Sequence, residues 1–184
     1  MKRSSDTVVR DTRKWLERAV IGLNLCPFAK AVHVKHQVHY AVSGATDPGQ
    51  LLADLEREVE ALIGLDSAKR ETTLLIAPGC LDDFLDFNDF LARAQKLIRK
   101  RGLEGVIQLA SFHPAYQFAA TEAGDIANST NRSPYPTLHL LRETSIGRAV
   151  EAFPQAEAIY EANIEKLRRL GPEGWAALDV GPST

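Results

Sequence analysis

The side chains best suited to chemistry in this 184-residue sequence are two thiols, Cys26 and Cys80, and five imidazoles. Three imidazoles, His33, His36 and His39, crowd together and look like a metal tract. On extended chain, His33 and His39 share a face but stand about 20 Å apart, so they cannot chelate one ion. A solvated polar face accounts for both. His36 lies among valines and is expected to point inward as a hydrogen-bonded core residue.

His113 opens a more informative segment. Residues 114–136 carry no sustained helical or strand period, and a structureless stretch of that length in a compact domain is usually functional. His113 stands at the carboxyl end of an expected strand, where open α/β sheets hold their ligands. The stretch closes with Asn131-Arg132-Ser133-Pro134-Tyr135-Pro136 and runs into an expected helix start at 137. Free N–H groups, a positive dipole end and an arginine fork suit a phosphate or carboxylate. Asn128, Asn131, Arg132, Ser133, Tyr135 and Arg142 are therefore candidate binders of a small anion. His139 lies one turn inside that helix, with Arg142 and Glu143 on neighbouring faces. Each residue also has a structural reading. Arg132 can staple loop carbonyls, Asp125, Asn128 and Asn131 can be turn-makers, and His139 can pair locally with Glu143.

The thiols are the remaining nucleophiles. Cys26, in Leu23-Asn24-Leu25-Cys26-Pro27-Phe28, falls between a helix and a strand. That reverses the order of a thioredoxin-like redox loop, and no second cysteine follows two residues on, so that chemistry is excluded. Cys80 precedes a helix start, which lowers a thiol pKa, but Asp82 and Asp83 oppose ionisation. For both, a small buried hydrophobe is the default.

Three functions stay open. In the first, Cys26 is a nucleophile activated by His113 or His139, acting on a small anionic substrate held by Arg132. Parallel strands would put Cys26 and His113 at opposite sheet edges, so this dyad needs the loop to wrap back or the first strand to run antiparallel. In the second, Cys26, His113 and His139, with Asp125 or Glu143, hold one zinc or iron ion, although no short-range ligand spacing supports it. In the third, the chain is a non-catalytic module that binds a small anion or a protein, with the loop as a rigid recognition surface.

The elements that must position these residues follow from periodicity. Apolar spacing predicts a helix over 6–23 with Asp6 as N-cap, stopped by Pro27. Alternation predicts a strand over 31–42. Asp47-Pro48 starts a second helix, 72–77 is a buried strand, 82–101 a third helix closed by Gly102, and 106–113 a third strand. A short extra strand is possible at 116–120. Residues 137–143 fit strand or helix, with Leu, Arg and Glu after Pro136 favouring helix. Helices follow at 145–152 and 154–170, the second ended by Gly171-Pro172, and 174–180 can add a final turn. Strands alternating with helices predict an α/β layered domain with a three- to four-stranded, mainly parallel sheet, an N-terminal helix and extra C-terminal helices. A ferredoxin-like α+β arrangement is the alternative. One domain is expected, with a core over 1–143 and a helical extension over 144–184 packed on it.

Composition narrows the class. Hydrophobic residues make up 45% and charged residues 25%, ordinary globular proportions. A chain of this size buries roughly 70% of its unfolded surface and needs no disulfide or metal to fold. With 22 basic and 24 acidic residues the net charge is −2, which argues against a non-specific nucleic-acid binder. The cluster Lys96, Arg99, Lys100 and Arg101 reads as a solvated helix end complementing the dipole. No apolar run is long enough to span a membrane, and the N-terminus lacks a signal-peptide core. A cytoplasmic setting with reduced thiols is expected; oligomeric state is left open.

Three segments carry a family resemblance. Leu23-Asn24-Leu25-Cys26-Pro27-Phe28-Ala29 is the first. Gln108-Leu109-Ala110-Ser111-Phe112-His113-Pro114 with Tyr116-Gln117-Phe118 is the second. The stretch from Asn131 through Pro136, Thr137-Leu138-His139-Leu140-Leu141 and Arg142 to Glu143 is the third. Together they resemble the bacterial family of domains of unknown function numbered 1415, over nearly the whole chain. The resemblance implies no activity, substrate or cofactor. It does imply that Cys26, His113, Asn131, Arg132, Tyr135, His139, Arg142 and Glu143 stand on family-pattern positions, and that Cys80, His33 and His39 do not. Ala120 stands where the pattern has glycine.

Overall fold

The computed structural model describes residues 3–152 and 156–183. Helix α1, Ser5–Trp15, starts on Ser4 rather than on Asp6, because the Ser4 hydroxyl accepts the Thr7 amide at 3.2 Å. It continues into a π-helical turn, Leu16–Ile21. The turn closes at Gly22, where a β-carbon would lie 2.3 Å from the Arg18 carbonyl oxygen. Next come a short helix α2, Ala29–Val34, strand β1, Val38–Val42, and helix α3, Pro48–Gly64. Strand β2 is Thr72–Ile76, helix α4 Phe84–Lys100 and strand β3 Ile107–Phe112. A 3-10 helix, Ile126–Asn131, lies inside the long loop, and strand β4, Thr137–Arg142, follows it. Helices α5, Glu143–Ala152, and α6, Ala156–Ala177, complete the chain.

The four strands form one sheet in the order β1-β2-β4-β3. β1 and β2 are parallel, while β4 is antiparallel to both β2 and β3. β1, β2 and β3 thus point one way, as the alternation of strands and helices required, but β4 inserts between β2 and β3. The sheet is α/β and mostly antiparallel by neighbour, not mainly parallel.

That insertion corrects the helix favoured for 137–143. Leu138 and Leu140 are buried among α3 and α4 residues, so the segment alternates like a strand. As a helix it would leave the inner edges of β2 and β3 without ladder partners. Pairing on both sides outweighs the local helix preference of Leu, Arg and Glu.

The strand expected over 31–42 is also shorter than its pattern. Residues 29–34 are helical, and the amides of Lys35, His36 and Gln37 bond back to the carbonyls of Ala31, His33 and Val32. Val34 is 63% exposed, so its place in the valine alternation is coincidental. His36 sits in the turn at φ 56° and faces solvent instead of the core. Only 38–42 reaches β2. No strand forms at 116–120, where the chain makes turns.

Two apolar layers sandwich the sheet. Leu51, Leu55 and Leu62 of α3 and Phe87 of α4 are fully buried against Leu75, Leu138 and Leu140, each contributing about 1.5–3 kcal/mol. On the other face, Val8, Trp15, Ala19 and Val20 pack with Leu74, Ile76, Tyr135 and Val180. α6 packs on the 3-10 helix and breaks at Gly171, φ 70°, just before Pro172, as the sequence indicated; the expected helix start at 154 lies outside the described residues. Among the described residues, no helix is long and apolar enough to cross a membrane.

Candidate functional site

The carboxyl ends of β1, β2 and β3 and the start of β4 share one sheet edge, and the 113–136 loop lies over it. His113 is the loop's anchor. Because Phe112 faces Trp15 at 5.1 Å, His113 points to the opposite sheet face, 5.5 Å from the Phe84 ring and 5.0 Å from Phe87. Its Nδ1 accepts the Ala115 amide at 3.0 Å, which fixes the tautomer, so Nε2 carries the proton and donates to the Leu81 carbonyl at 3.0 Å. Burial lowers the His113 pKa, opposed by the Leu81 bond and by Asp82 and Asp83. A neutral ring with both nitrogens engaged is a strut, with no lone pair left to serve a nucleophile.

The loop's polar residues turn inward in the same way. The Asn128 side-chain oxygen accepts the Phe118 amide and the Thr121 hydroxyl, and its amide donates to the Glu122 carbonyl. Asn131 donates to the Ser111 carbonyl, and its own carbonyl accepts the His113 amide. Arg132 donates from Nε to the Tyr116 carbonyl at 3.2 Å and from a terminal nitrogen to Ala123 at 2.6 Å. Asp125 caps the 3-10 helix through the Ala127 amide. The Ser133 hydroxyl donates to the Tyr135 carbonyl.

Tyr135 reaches across to α1. Its hydroxyl donates to Asp11 Oδ2 at 2.7 Å, and the Ser183 amide and hydroxyl donate to the same buried carboxylate. Burial pushes the Asp11 pKa up, but the Ser183 and Tyr135 bonds outweigh it and hold the carboxyl below its usual range. Sequence reasoning missed this cluster, since an Asp eleven residues in and a Ser near the end share no local pattern.

The remaining candidates lie apart. Arg142 is at the far end of β4, opposite the loop, and donates to the Leu62, Leu65 and Arg70 carbonyls, capping the end of α3. Glu143 begins α5 at that same far end. His139 projects to the face that packs against α1, 6.1 Å from the Phe112 ring. Its Nε2 lies 2.6 Å from the Thr72 hydroxyl, whose one proton goes to the Leu140 carbonyl; the imidazole must therefore be the donor. Burial pushes its pKa down to about 4.

Cys26 packs against the α1 side of the sheet, and α6 fixes its turn through Asn163 on the Leu25 carbonyl and Lys166 on that of Asn24. The sheet thus separates Cys26 from His113, while His139 shares its face. Burial pushes the Cys26 thiol up, with the Phe28 and Ala29 amides opposing. Burial, then Asp47 and Asp82, raise Cys80 as well. Both cysteines are free. Alkylation of Cys26 by iodoacetamide at pH 7 is expected to run at least about tenfold slower than for an exposed cysteine with a pKa near 8.5. Mass-spectrometric rates from pH 6 to 10 read this, and an inflection near pH 6 would contradict it. Among the described residues, no group of three or more His, Cys, Asp or Glu is placed to hold a metal, so Cys26, His113, His139, Asp125 and Glu143 do not converge on one ion.

What the loop offers outward is aromatic. Phe84 and Tyr116 rings are 5.1 Å apart, Tyr116 and Phe118 5.0 Å, Phe118 and Tyr160 5.4 Å, making a strip from α4 across the loop to α6. Phe84, Tyr116 and Phe118 are half-buried, and Tyr160 is 46% exposed. The legible signal was Tyr116-Gln117-Phe118 flanked by alanines in a stretch with no core to fill; the sequence alone could not show that Phe84 and Tyr160 extend it.

Over residues 7–177 the chain matches the family described as Protein of unknown function (DUF1415). No curated protein and no solved structure matches it.

Proposed function

We propose that this chain, which belongs to the DUF1415 family, is a non-catalytic binding module that recognises a protein partner through the ordered 113–136 loop. The observation that carries the reading is the commitment of Arg132 to its own loop: its half-buried guanidinium donates from Nε and one terminal nitrogen to the Tyr116 and Ala123 carbonyls. The group best suited to grip an anionic substrate is thereby part of the scaffold. His113, bonded at both nitrogens, and a Cys26 thiol kept protonated by burial point the same way. A loop built this rigidly loses little entropy on binding, which is the advantage of a preorganised surface. A cytoplasmic setting, where both thiols stay reduced, belongs to this reading.

The test is photo-crosslinking in cells that make the natural protein. A photoreactive phenylalanine derivative at position 160 or 85 should give a discrete adduct with another polypeptide. The same group at exposed position 100, at the far end of α4, should not. No adduct from 160 and 85 beyond that at 100 would contradict the proposal.

A further inference from the structure

We infer that the partner presents a short extended segment in which Arg or Lys alternates with apolar or aromatic residues; the inference rests on the binding-module reading above. The first support is the shape of the aromatic strip. Its four rings follow one another in steps of 5.1, 5.0 and 5.4 Å, a run that can accommodate up to about five residues of extended chain at ~3.3 Å each. Leu85, next to Phe84, is 71% exposed, and Ala115, Ala119 and Ala120 are exposed along the loop. Small exposed residues next to Tyr116 and Phe118 in the chain let a peptide backbone approach closely.

The second, independent support is charge. Residues 81–92 contain Asp82, Asp83, Asp86 and Asp89 and no Lys or Arg, and 113–131 contain Glu122 and Asp125 and again no Lys or Arg. Asp82, Asp86, Glu122 and Glu161 are all exposed. The nearest cation in the loop, Arg132, is turned onto loop carbonyls. Aromatic rings attract cations through their quadrupole, and exposed carboxylates on the flanking segments add a field of the same preference. That field repels nucleic-acid phosphates and anionic lipid headgroups, so the matching occupant is a basic peptide segment.

Random twelve-residue peptides displayed on phage and panned against the full chain at low salt should enrich Arg or Lys interleaved with apolar residues. A synthetic peptide of the enriched sequence should bind at least tenfold more weakly to the Asp82→Lys, Asp86→Lys, Glu122→Lys triple variant. It should also weaken about tenfold against Tyr160→Ala, and weaken at 0.5 M salt, where screening removes the carboxylates' field. Thermal unfolding of each variant confirms that it remains folded. Enrichment of neutral or acidic peptides, absence of enrichment, or equal binding to the triple variant overturns the inference. A polypeptide crosslinked at 160 whose contacting segment lacks Arg and Lys overturns it and leaves the module reading standing, whereas no crosslinked polypeptide removes both.

Discussion

His113→Ala is expected to destabilise the chain by about 3–4 kcal/mol, within the range for removing a fully buried ring, and to lower Tm by about 10 °C for a chain of this length. The imidazole has no exposed surface and is clasped by Phe84 and Phe87, so alanine leaves a cavity under both rings. It also leaves the Leu81 carbonyl and the Ala115 amide without partners, at a typical 1–3 kcal/mol for each group that stays buried. Leu81 adopts φ 60°, a conformation L-residues avoid, and the His113 bond is one of the contacts that holds it there. Thermal and urea denaturation read the loss. A change below about 1 kcal/mol would mean that His113 is not the strut described and is free for other chemistry.

Acid should weaken the fold in a window set by the histidines. Burial drives the His139 pKa from 6.5 to about 4, and burial also lowers His113 and His39. Between those limits the unfolded chain binds protons that the folded chain refuses, so stability falls as pH drops from 6.5 toward 4, and these histidines add no slope above about 7. His139 alone accounts for up to about 3 kcal/mol of that fall. His139→Leu removes its share while the Thr72 hydroxyl keeps its bond to the Leu140 carbonyl. Urea unfolding at pH 7 and pH 4.5 should therefore show a loss smaller by about 2–3 kcal/mol in the variant. Equal losses in both proteins would contradict a lowered His139 pKa.

The parts of the fold legible in the sequence were those with local causes. Asp47-Pro48 starts α3, Gly102 closes α4 at φ 66°, and the apolar stripe of α4 buries Phe87, Phe90, Ala94 and Ile98. What was not legible is non-local. β4 is a strand because β2 and β3 flank it, and 29–34 is a helix because the chain turns at His36 before it reaches β2. The candidate site divides along the same line. The long loop was found by its lack of period, and its residues were named, but composition does not say which way a guanidinium points. Arg132 has the types and spacing of an anion grip and the contacts of a staple. Arg142, three residues past His139 in sequence, lies at the other end of the sheet because the segment is extended rather than helical. Cys26 and His113 are parted by the sheet itself.

On the proposed reading, the stapled loop and not the Cys26 thiol does the protein's work. Photo-crosslinking from position 160 tests it most directly when repeated in Arg132→Ala and in Cys26→Ala chains. The Arg132 guanidinium binds the Tyr116 and Ala123 carbonyls of the loop, so its loss should slacken the loop, and thermal unfolding checks that the chain stays folded. The adduct is expected to fade in Arg132→Ala and to persist in Cys26→Ala. An adduct that survives loss of Arg132 and disappears with Cys26 would contradict that reading.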